Sequence, residues 1–111
     1  MVTNIAKWDT YGAIPLVSAV AENRDIYDFD SSMVGNELVH TLFYRSANAE
    51  TELEAYKEYL LAQGYTDVTP IEKDVTLVAV YQKSDSKKKD APMRVAISWI
   101  NDGYKLQLSG F

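Results

Sequence analysis

The sequence predicts an α+β fold, in which a single helix packs on one face of an antiparallel sheet of about five strands. Two observations lead to this prediction. Apolar side chains recur with the period of a helix in residues 51–65, and they alternate with the period of a strand in most segments on either side. A length of 111 residues suits one domain. We therefore expect residues 1–111 to fold as one unit, with residues 1–15 as an irregular arm.

The N-terminal half carries few regular signals before the strong strand that ends it. Residues 16–21 are too short for periodicity to decide between strand and helix, and we interpret them as extended. Residues 25–30 alternate like a short strand. Residues 31–36 contain a Gly-Asn pair that tolerates positive φ, and we expect them to form a turn. Residues 37–45 alternate with apolar side chains on both faces, which predicts a central strand.

The helix has a clear apolar stripe and recognisable ends. At 100° per residue the stripe consists of Ala49, Leu53, Tyr56 and Leu60. Asn48 or Thr51 is the expected N-cap, and Thr51 with Glu54 has the spacing of a capping box. Gly64 is expected just past the end of the helix, where the left-handed conformation favours glycine.

The C-terminal half is expected to begin with a short strand at residues 66–69 and to continue as an antiparallel meander of three strands, at residues 75–83, 93–100 and 104–109. The lysine-rich residues 84–92 have almost no apolar side chain to bury, so we expect an exposed, mobile loop. Asn101-Asp102-Gly103 is a tight-turn signal, in which we expect Gly103 to supply a positive φ.

Composition excludes several classes of function. A net charge of −5 disfavours nucleic acid as a partner, because phosphate binding needs a basic face. The absence of cysteine excludes disulfides, thiolate catalysis and cysteine-based metal sites. No apolar run approaches the roughly 18 residues of a membrane span. The chain is therefore expected neither to cross a membrane nor to bind nucleic acid.

The sequence carries no signature of catalysis. His40 is the only histidine, and no nucleophile or orienting carboxylate can be placed beside it from the sequence. No phosphate-binding loop, nucleophile elbow or zinc-protease motif occurs. We therefore predict a non-enzymatic binding or interaction module, with no catalytic residue, no metal site and no cofactor. The alternative is a small enzyme with a carboxylate site or a metal held by oxygen ligands.

Three residues are candidates for an interaction surface. Eight tyrosines are many for this length, and tyrosine is enriched at interfaces as well as at the margins of small cores. Among them Tyr44 and Tyr81 are the candidates, together with Leu61, an apolar residue on the acidic side of the helix. The expected partner is another protein or a component of the cell envelope, and a homodimer is a further option.

The second face of the sheet also needs a cover, since the strands at residues 37–45 and 75–83 are apolar on both sides. One helix covers only one face. The simplest cover is the N-terminal arm with its apolar residues, among them Trp8, Ile14 and Leu16. The alternative cover is a second copy of the chain or a different protein.

One pattern in the chain is similar to a known group of domains. It runs from Ile14-Pro15 through the strand ending at Tyr44 to Glu54-Ala55-Tyr56, Leu60 and Gln63-Gly64-Tyr65, and it ends with Gly103-Tyr104-Lys105-Leu106. It resembles small bacterial domains of unknown function that occur on exported proteins and lipoproteins.

This resemblance implies an extracytoplasmic or membrane-anchored location, with a cytoplasmic one as the alternative. The chain departs from lipoproteins in lacking the cysteine that carries the lipid anchor. Residues 1–12 contain no apolar region of a signal peptide, so either the protein is cytoplasmic or a signal or anchor segment precedes Met1 in the native gene product. The resemblance carries over no catalytic or binding residue.

Overall fold

A computed structural model describes residues 10–11, 14–21, 26–72, 75–85 and 88–110. In chain order the elements are β1 (Thr10–Tyr11), β2 (Ile14–Pro15), a short 3-10 helix (Val17–Ala19), β3 (Ile26–Val34), β4 (Glu37–Arg45), α1 (Ala49–Ala62), β5 (Thr66–Asp67), β6 (Leu77–Asp85), β7 (Lys88–Ile100) and β8 (Gly103–Ser109).

The described strands form one six-stranded sheet in the order β3-β4-β8-β7-β6-β5, in which every neighbouring pair is antiparallel. β1 and β2 pair separately as a two-stranded hairpin. The predicted α+β class is confirmed, as is the C-terminal meander of β6, β7 and β8. The sheet has six strands rather than about five, and the short strand expected at residues 66–69 forms at residues 66–67, where it pairs with β6.

The core lies between α1 and one face of this sheet. Leu53, Tyr56 and Leu60 of the helix are buried, as the apolar stripe predicts. The sheet contributes alternate residues of its central strands to the same cluster, namely Leu42, Tyr44, Val95, Ile97, Tyr104, Leu106 and Leu108. Period-two alternation thus directs one set of side chains from β4, β8 and β7 toward the helix.

The helix begins at Ala49, so the predicted capping box of Thr51 and Glu54 is wrong. Asn48 occupies the N-cap position but makes no side-chain capping bond. Ser46, two residues before Asn48, caps the helix instead: its Oγ accepts a hydrogen bond from the Asn48 N–H at 3.1 Å and donates to the Glu52 carboxylate. The start of the helix is therefore held by a residue of the preceding loop.

The C-terminal end of the helix agrees with the sequence. Gly64 has a φ of 95°. The N–H of Tyr65 donates to the Leu60 carbonyl at 3.0 Å, and the N–H of Gly64 donates to the Leu61 carbonyl at 3.1 Å. This pair of bonds is a Schellman motif. It turns the chain sharply and returns Tyr65 to the core, where it is buried.

The N-terminal segment joins the helix side of the sheet. Ile14, Leu16 and Val17 are fully buried in the cluster that contains α1, and the Tyr56 hydroxyl donates to the Pro15 carbonyl at 2.7 Å. For these residues the expectation that the arm covers the second face is wrong. The extended interpretation of residues 16–21 is also wrong, because a 3-10 helix forms there. Trp8 lies outside the described residues.

The second face is less apolar than predicted. Leu42 lies on the helix side. On the second face, Thr41 is paired with Gln107, and Gln107 with Ala96. On this face, the apolar residues of one strand are thus flanked by small or polar residues of the neighbouring strands. The alternation within one strand does not reveal which residues lie beside it.

Two predicted loops are strands. β3 continues to Val34, so the turn expected at residues 31–36 shrinks to Gly35 and Asn36. Gly35 has a φ of 64°, and no described residue other than glycine has a positive φ. Glycine at the first central position alone is the requirement of a type II′ turn. Likewise β6 extends to Asp85 and β7 begins at Lys88, which replaces the loop expected at residues 84–92.

Gly103 is needed for a different reason from the predicted one. It begins β8 without a positive φ. A Cβ atom at this position would overlap the carbonyl oxygen of Tyr44 on the neighbouring strand. Glycine is therefore required by the close approach of two backbones at the end of the β4–β8 pair. In the described parts of the chain, no helix has the length and apolar content that a membrane crossing requires.

Replacing Leu60 by alanine should lower the free energy of unfolding by about 2–5 kcal/mol, because the change removes fully buried methyl groups and leaves a cavity. Urea unfolding followed by circular dichroism measures this loss. Leu61→Ala is the matched control, since Leu61 is 51% exposed and should lose less than about 0.5 kcal/mol. Equal losses in the two variants would contradict the assigned helix face.

Candidate functional site

The structure separates the three candidate interaction residues. Leu61 is exposed on the outer side of α1. Tyr44 and Tyr81 are buried in the core, so the hypothesis that they present a surface to a partner is wrong. Both occupy helix-facing positions of their strands, and Tyr44 stacks on Tyr104 with ring centroids 5.0 Å apart. Tyrosine is found both at interfaces and at the margins of small cores, and Tyr44 and Tyr81 have the second role.

Four buried tyrosines contribute to the core between the helix and the sheet, and their hydroxyls have different partners. Tyr56 donates to the Pro15 carbonyl, Tyr104 donates to Glu52 Oε1 at 3.0 Å, and Tyr65 donates to Met93 Sδ at 3.9 Å. The Tyr44 hydroxyl is buried and has no hydrogen-bond partner among the described residues. Such a group carries a desolvation penalty without compensation.

These buried phenols are unsuited to acid–base chemistry near neutral pH. Burial raises the pKa of the Tyr44 hydroxyl far above its ordinary value near 10, and burial raises the pKa of Tyr56 in the same direction. Burial raises the pKa of Tyr65 to about 12. A general base or acid works best with a pKa close to the operating pH. The cluster therefore has the properties of a buried core.

His40 has packed surroundings. It is half-buried on β4, and its ring meets the ring of Phe29 edge-on, with centroids 5.1 Å apart. Across the described residues, no group of three or more His, Asp and Glu side chains is arranged to hold a metal ion.

Two surface depressions are formed by the described residues. One, of about 370 Å³, lies at the start of α1 and is lined by residues 46–51. The other, of about 250 Å³, lies on the second face near the end of β8, where Glu37 and Arg94 flank an apolar floor of Val39 and Ala96. Both are shallow and open to solvent, unlike the enclosed pockets that surround most small ligands.

A charged clasp ties β3 and β4 to the β7–β8 turn. Arg45 Nε bonds to Asp102 Oδ2 at 3.0 Å, and the guanidinium group lies 4.3 Å from the centre of the Tyr27 ring. The Tyr27 hydroxyl donates to Asp102 Oδ1 at 3.3 Å. The hydrogen bond from Arg45 holds the pKa of the Asp102 carboxyl below its usual range. All the polar atoms named here bond to one another, which gives the clasp a structural role.

The most distinctive surface is the β3–β4 hairpin. Three large apolar side chains are exposed there: Met33 at 60%, Val34 at 63% and Leu38 at 43%. Met33 is paired with Leu38 across the hairpin, so these two side chains lie side by side on the helix-facing side of the sheet. Val34 is opposite Glu37 and lies on the second face of the sheet. We call Met33 and Leu38 the hairpin patch.

The hairpin patch lies where the cover of the sheet ends. Along the helix-facing side of β4, Tyr44 and Leu42 are fully buried, His40 is half-buried and Leu38 is exposed. The helix and the N-terminal segment thus shield one end of β4 and leave the other end open.

The sequence does not predict the hairpin patch, because the composition of residues 31–36 is typical of a turn. The available signal was Met33, whose spacing of four residues from Phe29 matches the alternation of a strand. Comparison of the chain with family models, curated proteins and solved structures finds no match.

Replacing Tyr44 by phenylalanine should leave stability unchanged or raise it by up to about 1 kcal/mol, because it removes a buried hydroxyl that has no described partner. Tyr56→Phe is the matched comparison and should lose about 1–3 kcal/mol, since the buried Pro15 carbonyl then lacks its donor. Urea unfolding of both variants gives the two values. A loss above about 1 kcal/mol in Tyr44→Phe would reveal a partner for its hydroxyl.

Stability should fall at alkaline pH. In the folded state the pKa values of Tyr44 and Tyr56 are raised, and that of Tyr65 is about 12, whereas tyrosine in an unfolded chain has a pKa of about 10. The contribution of these groups is therefore complete below pH ~10 and is lost as the pH rises toward the folded values.

The urea midpoint measured from pH 8 to 12 should decline above pH ~10, together with a rise in tyrosinate absorbance on unfolding. Tyr65→Phe should make the decline less steep. A midpoint that is constant across this range would show that the three phenols ionise as readily in the folded protein as in the unfolded chain, which would contradict the prediction.

Proposed function

We propose that the chain is a non-enzymatic interaction module that binds a protein partner through the hairpin patch. The observation that carries the proposal is the joint exposure of Met33 and Leu38, which are paired across one hairpin on the same face of the sheet. Contiguous exposed apolar side chains on a folded domain are typical of interaction sites.

The surroundings of the hairpin patch support this proposal. β3 is an edge strand of the described sheet, and an exposed edge offers backbone groups as well as side chains to a partner. The apolar area and the edge thus occur on the same element. The alternative function, a small enzyme with a carboxylate or oxygen-ligand site, has less support, because the two depressions described above are open to solvent.

We propose a location outside the cytoplasm for this module. Its support is the resemblance to domains on exported proteins and lipoproteins, whose motif residues occur here from Ile14-Pro15 to Gly103-Tyr104-Lys105-Leu106. A partner in the cell envelope would suit that location. The start of the native gene, read for a signal or anchor segment, tests it.

A library of displayed 12-residue peptides, selected on the immobilised protein, tests the binding function. Selected peptides should bind the wild-type chain and lose at least about tenfold in affinity for the double variant Met33→Lys, Leu38→Lys. Two charges would then replace the apolar surface that a partner must desolvate. Isothermal calorimetry or fluorescence polarisation gives the affinities.

The matched control is the double variant Ile71→Lys, Val75→Lys. It adds the same charge at two exposed apolar residues of the loop before β6. This loop connects strands at the opposite edge of the sheet from β3. Its affinity should equal that of the wild type. If selection enriches no peptide, or if enriched peptides bind all three proteins equally, the proposal is wrong.

A further inference from the structure

We infer that the partner segment is an extended, basic peptide that adds a strand to the outer edge of β3, with Lys or Arg side chains beside Asp28 and Asp30. This inference rests on the proposed function and specifies the chemistry of its ligand. It depends on the backbone of the edge, on the two faces of β3 and on their charge.

The hairpin geometry determines which backbone groups face outward. In a hairpin closed by a two-residue turn, the last pair, here Val34 and Glu37, exchanges both of its hydrogen bonds. Counting back by twos, Ser32 and Asp30 also bond to β4. Ser31 and Met33 therefore direct their N–H and C=O groups away from β4, and no described strand lies on that side.

Side chains divide β3 into an acidic face and a helix-side face. Asp28 and Asp30 are opposite Phe43 and Thr41 of β4, and both carboxylates are exposed on the second face of the sheet. Ser31 and Met33 are opposite His40 and Leu38, on the helix side. An added strand thus meets carboxylates on one side and the hairpin patch on the other.

A peptide that alternates basic and apolar residues matches this arrangement. Opposite charges on neighbouring strands attract, and each such pair contributes modestly to pairing. The apolar residues of the peptide would extend the surface made by Met33 and Leu38. Backbone hydrogen bonds would supply affinity and side chains selectivity, as in other cases of strand addition.

A second copy of the chain is a poorer occupant of the same edge. Antiparallel pairing of two β3 strands over their full length would place Asp30 directly opposite its own counterpart. Each copy also carries a net charge of −5, so their encounter is opposed over a longer range. The charge of the edge therefore favours a basic partner over self-association.

The test uses a defined probe, an acetylated and amidated nonapeptide that alternates Lys and Val, and the full chain. The probe should bind the wild type and lose at least about tenfold in affinity for the double variant Asp28→Asn, Asp30→Asn. A probe that alternates Glu and Val should not bind measurably. The control Glu50→Gln, Glu58→Gln removes the same charge from exposed positions of α1 and should bind like the wild type.

Methylated probes distinguish strand pairing from attraction by charge alone. In antiparallel pairing the valines lie opposite Ser31 and Met33, so their N–H groups face β3. N-methylation of the valines should then abolish binding, and N-methylation of the lysines should leave it within about threefold. Parallel pairing would reverse the order, so a strong difference in either direction supports strand addition.

Three outcomes overturn the inference: equal affinity of the two methylated probes, an equal loss in both charge variants, or no binding of the basic probe. If one of these occurs while library-selected peptides still distinguish the wild type from Met33→Lys, Leu38→Lys, only the inference is wrong. If the selected peptides fail as well, the proposed function is also wrong.

Discussion

The width of the sheet is the constraint on which the rest of the structure depends. Five spacings of about 4.8 Å make a six-stranded sheet roughly 24 Å wide between its outer strands, whereas a helix with its side chains is about 10–12 Å across. α1 covers only part of this area, although Leu53, Tyr56 and Leu60 of its apolar stripe are buried. Other residues of the chain have to extend the cover, and where they do not reach, apolar side chains stay in contact with water.

Three features extend the cover. The N-terminal segment around Ile14 and Leu16 adds a layer beside the helix and is tied to it by the hydroxyl of Tyr56. The Schellman turn returns Tyr65 to the core. Tyrosines enlarge the covered area, since an aromatic ring spans more surface than an aliphatic side chain and keeps one polar atom at its tip. The cover ends before the turn of the β3–β4 hairpin, which explains why Met33 and Leu38 are exposed there and why the proposed interaction lies at that end.

The sequence predicts those parts of the fold that local signals determine. Glu37–Arg45 has the predicted bounds, and the buried face of α1 and the turn at Gly64 are as expected. Ser31-Ser32 and the lysines near residue 88 have loop-like composition, but pairing with β4 and β6 makes them strands. The candidate site likewise depends on tertiary structure, namely on which elements pack over each side chain. Whether Tyr44 or Met33 meets a partner is decided by what packs over each one, and periodicity does not contain that information.

Gly103 has an evolutionary consequence. Its backbone lies so close to the Tyr44 carbonyl that even a methyl group would force β4 and β8 apart, at the point where the stacked Tyr44 and Tyr104 rings begin the core. Selection should therefore tolerate drift in the adjoining turn residues, Asn101 more than the clasped Asp102, and reject every replacement of this glycine. Descendants of this chain that diverge beyond recognition elsewhere would retain a glycine-aromatic pair at the start of the last strand.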